Sequence, residues 1–220
     1  TLTEVEERTE VHGNRVEFGP INVNKQPKLY KKIRERSFEN IGYGPITLEP
    51  FIYDTTGLCL LPAAEWHDAM EVADKRYVSA ALFGLSYILR HAAPSLCLSD
   101  RRDLETDVSL VEVTDGIWKS ALFLFDTHLG GIGFSEHIFG ILPDAFTLCA
   151  SMIKACPCQA GCPACVPPLP PGVEDEELQQ LLIESNASVA CTVSLLDSLL
   201  TGAIIPPVVQ ETVVRRPPPI

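Results

Sequence analysis

Hydrophobic positions change their period several times along the chain. Through residues 1–61, short alternating runs such as Arg15-Val16-Glu17-Phe18 and Ile46-Thr47-Leu48-Glu49 are separated by Gly and Pro. This pattern predicts strands and loops that build a small sheet. From 63 to 93 the apolar residues Trp66, Ala69, Met70, Ala73, Tyr77, Ala81, Leu85, Ile88 and Leu89 recur at spacings of three and four. That period predicts one long helix with a single buried stripe, stopped by Pro94. Residues 95–98, 109–113 and 121–125 are apolar runs of strand length, and a glycine turn leads from the last of them into a predicted helix over 134–155. A cysteine cluster follows, then Val166-Pro167-Pro168-Leu169-Pro170-Pro171, a stiff spacer that can neither pair in a sheet nor continue a helix. A last helix over 174–200 should pack back through Leu178, Leu181, Leu182, Val189, Val193, Leu196 and Leu199.

These elements predict an α+β fold: a small mixed or antiparallel sheet, several long helices and a four-cysteine loop. The expected organisation is a β-rich part at 1–62, an α/β core of the same domain at 63–155, a metal loop at 156–166, a spacer with the C-terminal helix at 167–203, and a tail at 204–220. Length and a 46% hydrophobic content allow one substantial core with a small metal-held appendage. No run of eighteen apolar residues is present, and the N-terminus lacks a signal-peptide pattern. A soluble, cytoplasmic protein without a membrane partner is therefore expected. The chain opens on Thr1 and ends in a Pro-rich stretch at 215–220, which points to a segment of a longer protein.

A formal net charge of -12 means that the surface as a whole repels phosphate, so any nucleic-acid contact must be local. One basic strip stands out: Lys25, Lys28, Lys31, Lys32, Arg34 and Arg36, interleaved with Tyr30 and followed by Phe38 and Tyr43. It reads either as a solvated face or as a contact for single-stranded DNA centred on Lys31, Lys32 and Arg34.

Of the eight cysteines, four fall within ten residues, in Cys156-Pro157-Cys158-Gln159-Ala160-Gly161-Cys162-Pro163-Ala164-Cys165. Zinc takes four soft ligands in a tetrahedron, and an all-cysteine site leaves no position open for water, so a structural Zn2+ is predicted there. A disulfide framework fits less well, because the chain is large and carries no secretory signal. An iron–sulfur cluster is the other alternative, although such clusters usually draw a ligand from farther away. Cys59, Cys97, Cys149 and Cys191 sit in apolar sequence and read as small buried hydrophobes.

The second motif is the glycine turn from Asp126 through Gly130, Gly131 and Gly133 to Glu136. Such turns can cradle phosphate at a helix N-terminus, but no Gly-Lys-Ser/Thr ending is present, and tight packing of turn on helix is the favoured reading. Asp103, Asp126 and Glu136 could instead grip magnesium for nuclease work, a weaker alternative. The five histidines show no ligand spacing to one another. No catalytic site is complete.

Several segments together resemble a known family: Tyr30-Lys31-Lys32-Ile33-Arg34, Asn40-Ile41-Gly42-Tyr43-Gly44, Asp54-Thr55-Thr56-Gly57-Leu58, Asp126-Thr127 with Gly130-Gly131-Ile132-Gly133, and the cysteine loop through Val166. The ordered set is similar to the C-terminal, MrfA-type zinc-binding domain of DEAD/DEAH-box superfamily 2 DNA helicases, including bacterial mitomycin-repair helicases and their fungal RecQ-like relatives. The resemblance implies an ATP-driven 3′-to-5′ DNA-unwinding parent, with motor domains elsewhere in that parent as partners. It also implies Cys156, Cys158, Cys162 and Cys165 as zinc ligands. This segment would support stability and strand engagement, and it has no ATP-binding motif of its own. Related domains also occur in phage-defence proteins, so a motor-less interaction subunit of a defence or repair complex is a further alternative.

Overall fold

The computed structural model describes residues 2–211; Thr1 and residues 212–220, which include the Pro-rich end, lie outside them. Strand β1 (Glu7–Val11) turns into β2 (Asn14–Lys25) through His12 and Gly13, which both take positive φ. A two-residue turn of that kind matches the twist of its flanking strands. Next come β3 (Leu29–Ile33) and β4 (Asn40–Pro45), which form a separate antiparallel hairpin, and then β5 (Phe51–Leu61), which returns to pair with β2. Two helices, α1 (Ala64–Ala73) and α2 (Tyr77–Cys97), lead to the hairpin of β6 (Leu104–Thr114) and β7 (Ile117–Asp126). The chain finishes with α3 (Phe134–Gly140), α4 (Leu142–Ala155), α5 (Glu176–Glu184) and α6 (Ala187–Thr201). The five-stranded sheet has the order β1-β2-β5-β7-β6, with every neighbouring pair antiparallel, so the expected α+β class holds.

Period-two alternation divides the central strands between two apolar clusters. Leu58, Leu60, Leu122 and Leu124 face the helices, while Cys59, Leu61, Phe123 and Phe125 face a smaller cluster with Ile21, Val23 and Tyr53. The larger cluster is built around α2, whose Leu82, Leu85, Ile88 and Leu89 are almost wholly buried. Each such side chain contributes roughly 1.5–3 kcal/mol of transfer free energy, which makes α2 the spine of the core. It packs tightly on α6 at Gly84, where an added Cβ would overlap the Thr192 hydroxyl.

Three expected single helices are each broken in two. The 63–93 pattern splits because Asp74 is extended (φ -165, ψ 124), and its carboxylate accepts hydrogen bonds from both the backbone and the guanidinium of Arg76. Pro94, expected as a stop, lies inside α2, so residues 95–97 are helical rather than strand; Leu98 takes the left-handed cap. Burial of Ala92, Ala93 and Pro94 outweighs the one hydrogen bond that the proline removes. The 134–155 helix bends by 89° between α3 and α4, where Ile141 leaves helical geometry and Pro143 starts the new helix. The 174–200 helix breaks at Ser185 and Asn186, whose backbones pair with the returning segment at Glu211 and Gln210. As a result Val193, expected in the buried stripe, is 37% exposed.

Asn14 joins the sheet to the helices. Asn14 itself is fully buried; its amide donates to Val11, His12 and Ser198 carbonyl oxygens, and its side-chain oxygen accepts from the Ala63 N–H at 2.9 Å. Asn14→Ala strands these groups, each unsatisfied one costing about 1–3 kcal/mol. A destabilisation of about 2–3 kcal/mol is expected in urea unfolding.

Candidate metal centre

The cysteine loop starts where α4 ends. Cys156 caps that helix in an extended conformation, and its N–H donates to the Ile153 carbonyl. The chain then folds on itself at Gly161 (φ +93), where a Cβ would overlap the Val166 carbonyl oxygen, so glycine is required there twice over. The turn brings all four sulfurs together: Cys156 Sγ lies 3.4 Å from Cys158 and 3.5 Å from Cys162, Cys158 lies 3.4 Å from Cys165, and Cys162 lies 3.8 Å from Cys165. All four lie within 4.8 Å of one another. Zinc–sulfur bonds of about 2.3 Å place tetrahedral sulfurs about 3.8 Å apart, which matches this spacing, whereas a disulfide needs about 2.05 Å. All eight cysteines are unpaired.

The electrostatics of the loop point the same way. The Cys162 thiol is drawn down to about 7, chiefly by the Ala164 N–H, with Cys156 adding to the effect. Burial, reinforced by the hydrogen-bonding neighbour thiols, pushes Cys158 up to about 12. Four thiolates packed this closely repel one another, and a divalent cation relieves that repulsion.

Three elements hold the loop in place. Besides its continuity with α4, the Tyr87 hydroxyl of α2 donates to the Pro163 carbonyl at 2.7 Å, and the Ser188 hydroxyl of α6 donates to the Pro167 carbonyl at 2.8 Å. Val166, one residue beyond the last cysteine, is part of the main core. Sequence reasoning missed Tyr87 and Ser188, because they lie far from the loop in the chain and carry no spacing signal. Cys59, Cys149 and Cys191 are buried, with thiols pushed to about 12 by desolvation, while Cys97 is half-buried.

The glycine turn is closed by its own aspartate. Asp126, fully buried, accepts hydrogen bonds from the N–H groups of Ile132 (2.6 Å), Gly133 (2.8 Å) and Ser135 (2.8 Å). The Thr55 hydroxyl donates to the carbonyl oxygens of Asp126 and His128, and Gly130 N–H donates to Asp54, so the turn is tied to β5. The start of α3 is thus already occupied by a carboxylate, in a helix of seven residues. Asp103 lies 3.9 Å from His128 and accepts from the Asp100 N–H, and Glu136 is exposed. Among the described residues these three carboxylates do not form a metal-gripping group.

The basic strip maps onto β3, β4 and their flanks, where nearly every residue is exposed. Three of its six cations are already paired: Lys25 with Glu105, Lys28 with Glu174 at 3.8 Å, and Arg34 with Glu39 at 3.1 Å. Lys31 stands opposite Tyr43 across the hairpin, Lys32 lies over the Tyr30 ring, and Tyr30 covers Gly44.

A buried helical and sheet framework presenting four convergent thiols defines an α+β domain with a candidate four-cysteine metal site. Residues 85–166 match the family model of the MrfA Zn-binding domain. The chain is 32% identical over 181 residues to the "Uncharacterized ATP-dependent helicase YprA" of Bacillus subtilis (strain 168), covering 82% of this chain and 23% of that relative. It superposes on a solved structure titled "Crystal Structure of DUF1998 helicase MrfA bound to DNA" with TM-score 0.55 and 29% identity, covering 83% of this chain and 24% of that one. A second MrfA structure gives TM-score 0.52 at 22% identity, over 83% of this chain and 22% of the other, a likeness of fold. The chain therefore carries an MrfA-type zinc-binding domain of the kind found in helicases, and it spans about a quarter of the length of these relatives.

Proposed function

We propose that this chain is the accessory zinc module of an ATP-dependent DNA helicase that works in DNA repair in the cytoplasm, and that the four cysteines of the loop hold one structural Zn2+. The observation that carries this reading is the near-tetrahedral convergence of Cys156, Cys158, Cys162 and Cys165, within a region matched by a zinc-binding domain model. A single ion suits the sulfur spacing better than a polynuclear iron–sulfur cluster, in which the four thiolates are divided among two or more irons and the set spreads farther apart. With four thiolates bound, zinc supplies cross-linking rather than catalysis, because no coordination position is left for water. The chain's own residues do the rest: Tyr87 and Ser188 fasten the loop to α2 and α6, so one junction joins three helices.

Motor activity belongs to the parent, since these 220 residues contain no Gly-Lys-Ser/Thr loop and no Asp-Glu-x-His box. The parent's motor domains are then the module's partners, and strand engagement falls to the β3–β4 hairpin. Lys31 and Lys32 with Tyr30 and Tyr43 offer cations beside exposed rings, the combination that holds unpaired strands. Replacing Lys31, Lys32 and Arg34 with Ala in the full-length parent is expected to weaken single-strand affinity. It should also flatten the log–log salt slope by about 2, at roughly 0.7 per lost phosphate contact. Unchanged binding and unwinding at every salt concentration would show the strip to be a solvated face. Zinc analysis of the parent, paired with unwinding assays of a Cys162→Ser variant, tests the module's role.

A further inference from the structure

A second group of ligand-type side chains lies on α1, away from the cysteine loop. His67 is buried, with its side chain 9% exposed, and its Nδ1 has no hydrogen-bond partner. That nitrogen faces two carboxylates, Asp68 Oδ1 at 4.0 Å and Glu71 Oε2 at 3.7 Å, and the three donor atoms lie within 4.8 Å of one another. A buried imidazole nitrogen without a partner is costly, and at 4.0 and 3.7 Å neither carboxylate, as placed, removes that cost. A divalent cation does, because it takes the lone pair and both negative charges together.

We propose that His67, Asp68 and Glu71 form a second divalent-metal site, selective for transition ions such as Zn2+, Co2+ or Mn2+. The imidazole nitrogen argues against Mg2+ and Ca2+, which prefer all-oxygen shells. Metal–ligand bonds of 2.0–2.2 Å require donor atoms about 3.0–3.4 Å apart. His67 is fixed by burial, whereas Asp68 and Glu71 are 73% and 54% exposed and free to close the remaining gap by rotation. Burial first, then the nearby Lys119, lowers the His67 pKa, and Glu71 and Asp68 partly oppose this, so the ring is neutral and able to ligate near pH 7. Lys119 lies 4.0 Å from Asp68 Oδ1 and is the competing cation that an incoming metal displaces. Three protein donors leave coordination positions for water, unlike the closed four-cysteine site.

The test uses the whole zinc-loaded chain, titrated with Co2+ and followed by visible absorption and calorimetry. The expected result is one additional Co2+ per chain, with the weak d–d bands of nitrogen and oxygen ligation and no thiolate charge-transfer bands. His67→Ala should abolish this binding. Because His67 is buried, the decisive variant is E71Q at an exposed position, which should weaken Co2+ binding by about tenfold or more. Equal affinity in the unmodified chain and E71Q, no Co2+ beyond the cysteine site, or thiolate bands on the bound Co2+ would each overturn the proposal.

Discussion

Replacing Cys158 with Ser is expected to abolish zinc binding and to loosen the junction of α4, α6 and the Pro-rich spacer while leaving the sheet and α2 folded. The first part follows from coordination: a closed four-thiolate site loses affinity steeply with any ligand, and structural zinc sites carry about 10–16 kcal/mol of apparent binding free energy near pH 7. The second part follows from packing. The loop touches the core through Val166, Tyr87 and Ser188, whereas the central sheet and α2 bury their own apolar surface independently of it. Hydrogen exchange should therefore lose protection around residues 156–166 and the first turns of α6, with protection retained in β5, β7 and most of α2. Chelation of the unmodified chain should give the same pattern, and global unfolding would show that the metal supports the entire core. Burial, reinforced by the neighbouring thiols, pushes the Cys158 thiol up to about 12, so it holds its proton at neutral pH. Zinc uptake must displace that proton, so affinity should fall as pH falls.

Asp126→Asn is the second large effect expected. The carboxylate receives three backbone N–H groups at 2.6 to 2.8 Å with no solvent exposure. An amide offers only one acceptor oxygen and turns an NH2 toward donors, which strands at least one buried N–H. Hydrogen bonds to a charged group are worth about 1.5–3 kcal/mol each, so a loss of about 3–5 kcal/mol is expected in denaturant unfolding. A loss below about 1 kcal/mol would mean that the glycine turn holds its shape without the carboxylate.

Residues that act over short sequence distance were the legible ones. The convergence of the cysteine loop could be read because all four thiols lie in one ten-residue stretch, and the strand-turn-helix order around Gly130 to Gly133 was plain for the same reason. Helix existence followed from apolar periodicity, but helix ends did not, because each break depends on a local competition that periodicity ignores. Asp74 binds Arg76, Pro143 restarts a helix at a right angle, and Ser185 with Asn186 pairs with a strand-like segment some twenty-five residues later. Pro94 shows the converse: burial carries a helix through a residue that local rules treat as a stop. The sheet order was not legible either, since β5 and β7 meet across two intervening helices and a strand. Asp126 was visible as a residue, but its grip on three N–H groups appears only once the turn is folded.

The central claim is one zinc ion held by four cysteine thiolates, and X-ray absorption at the metal edge of the purified chain, combined with elemental analysis, tests it most directly. The account predicts one zinc per chain from this site, with a first shell of four sulfurs at about 2.3 Å. Iron with acid-labile sulfide, or nitrogen and oxygen atoms in that shell in place of sulfur, would contradict it.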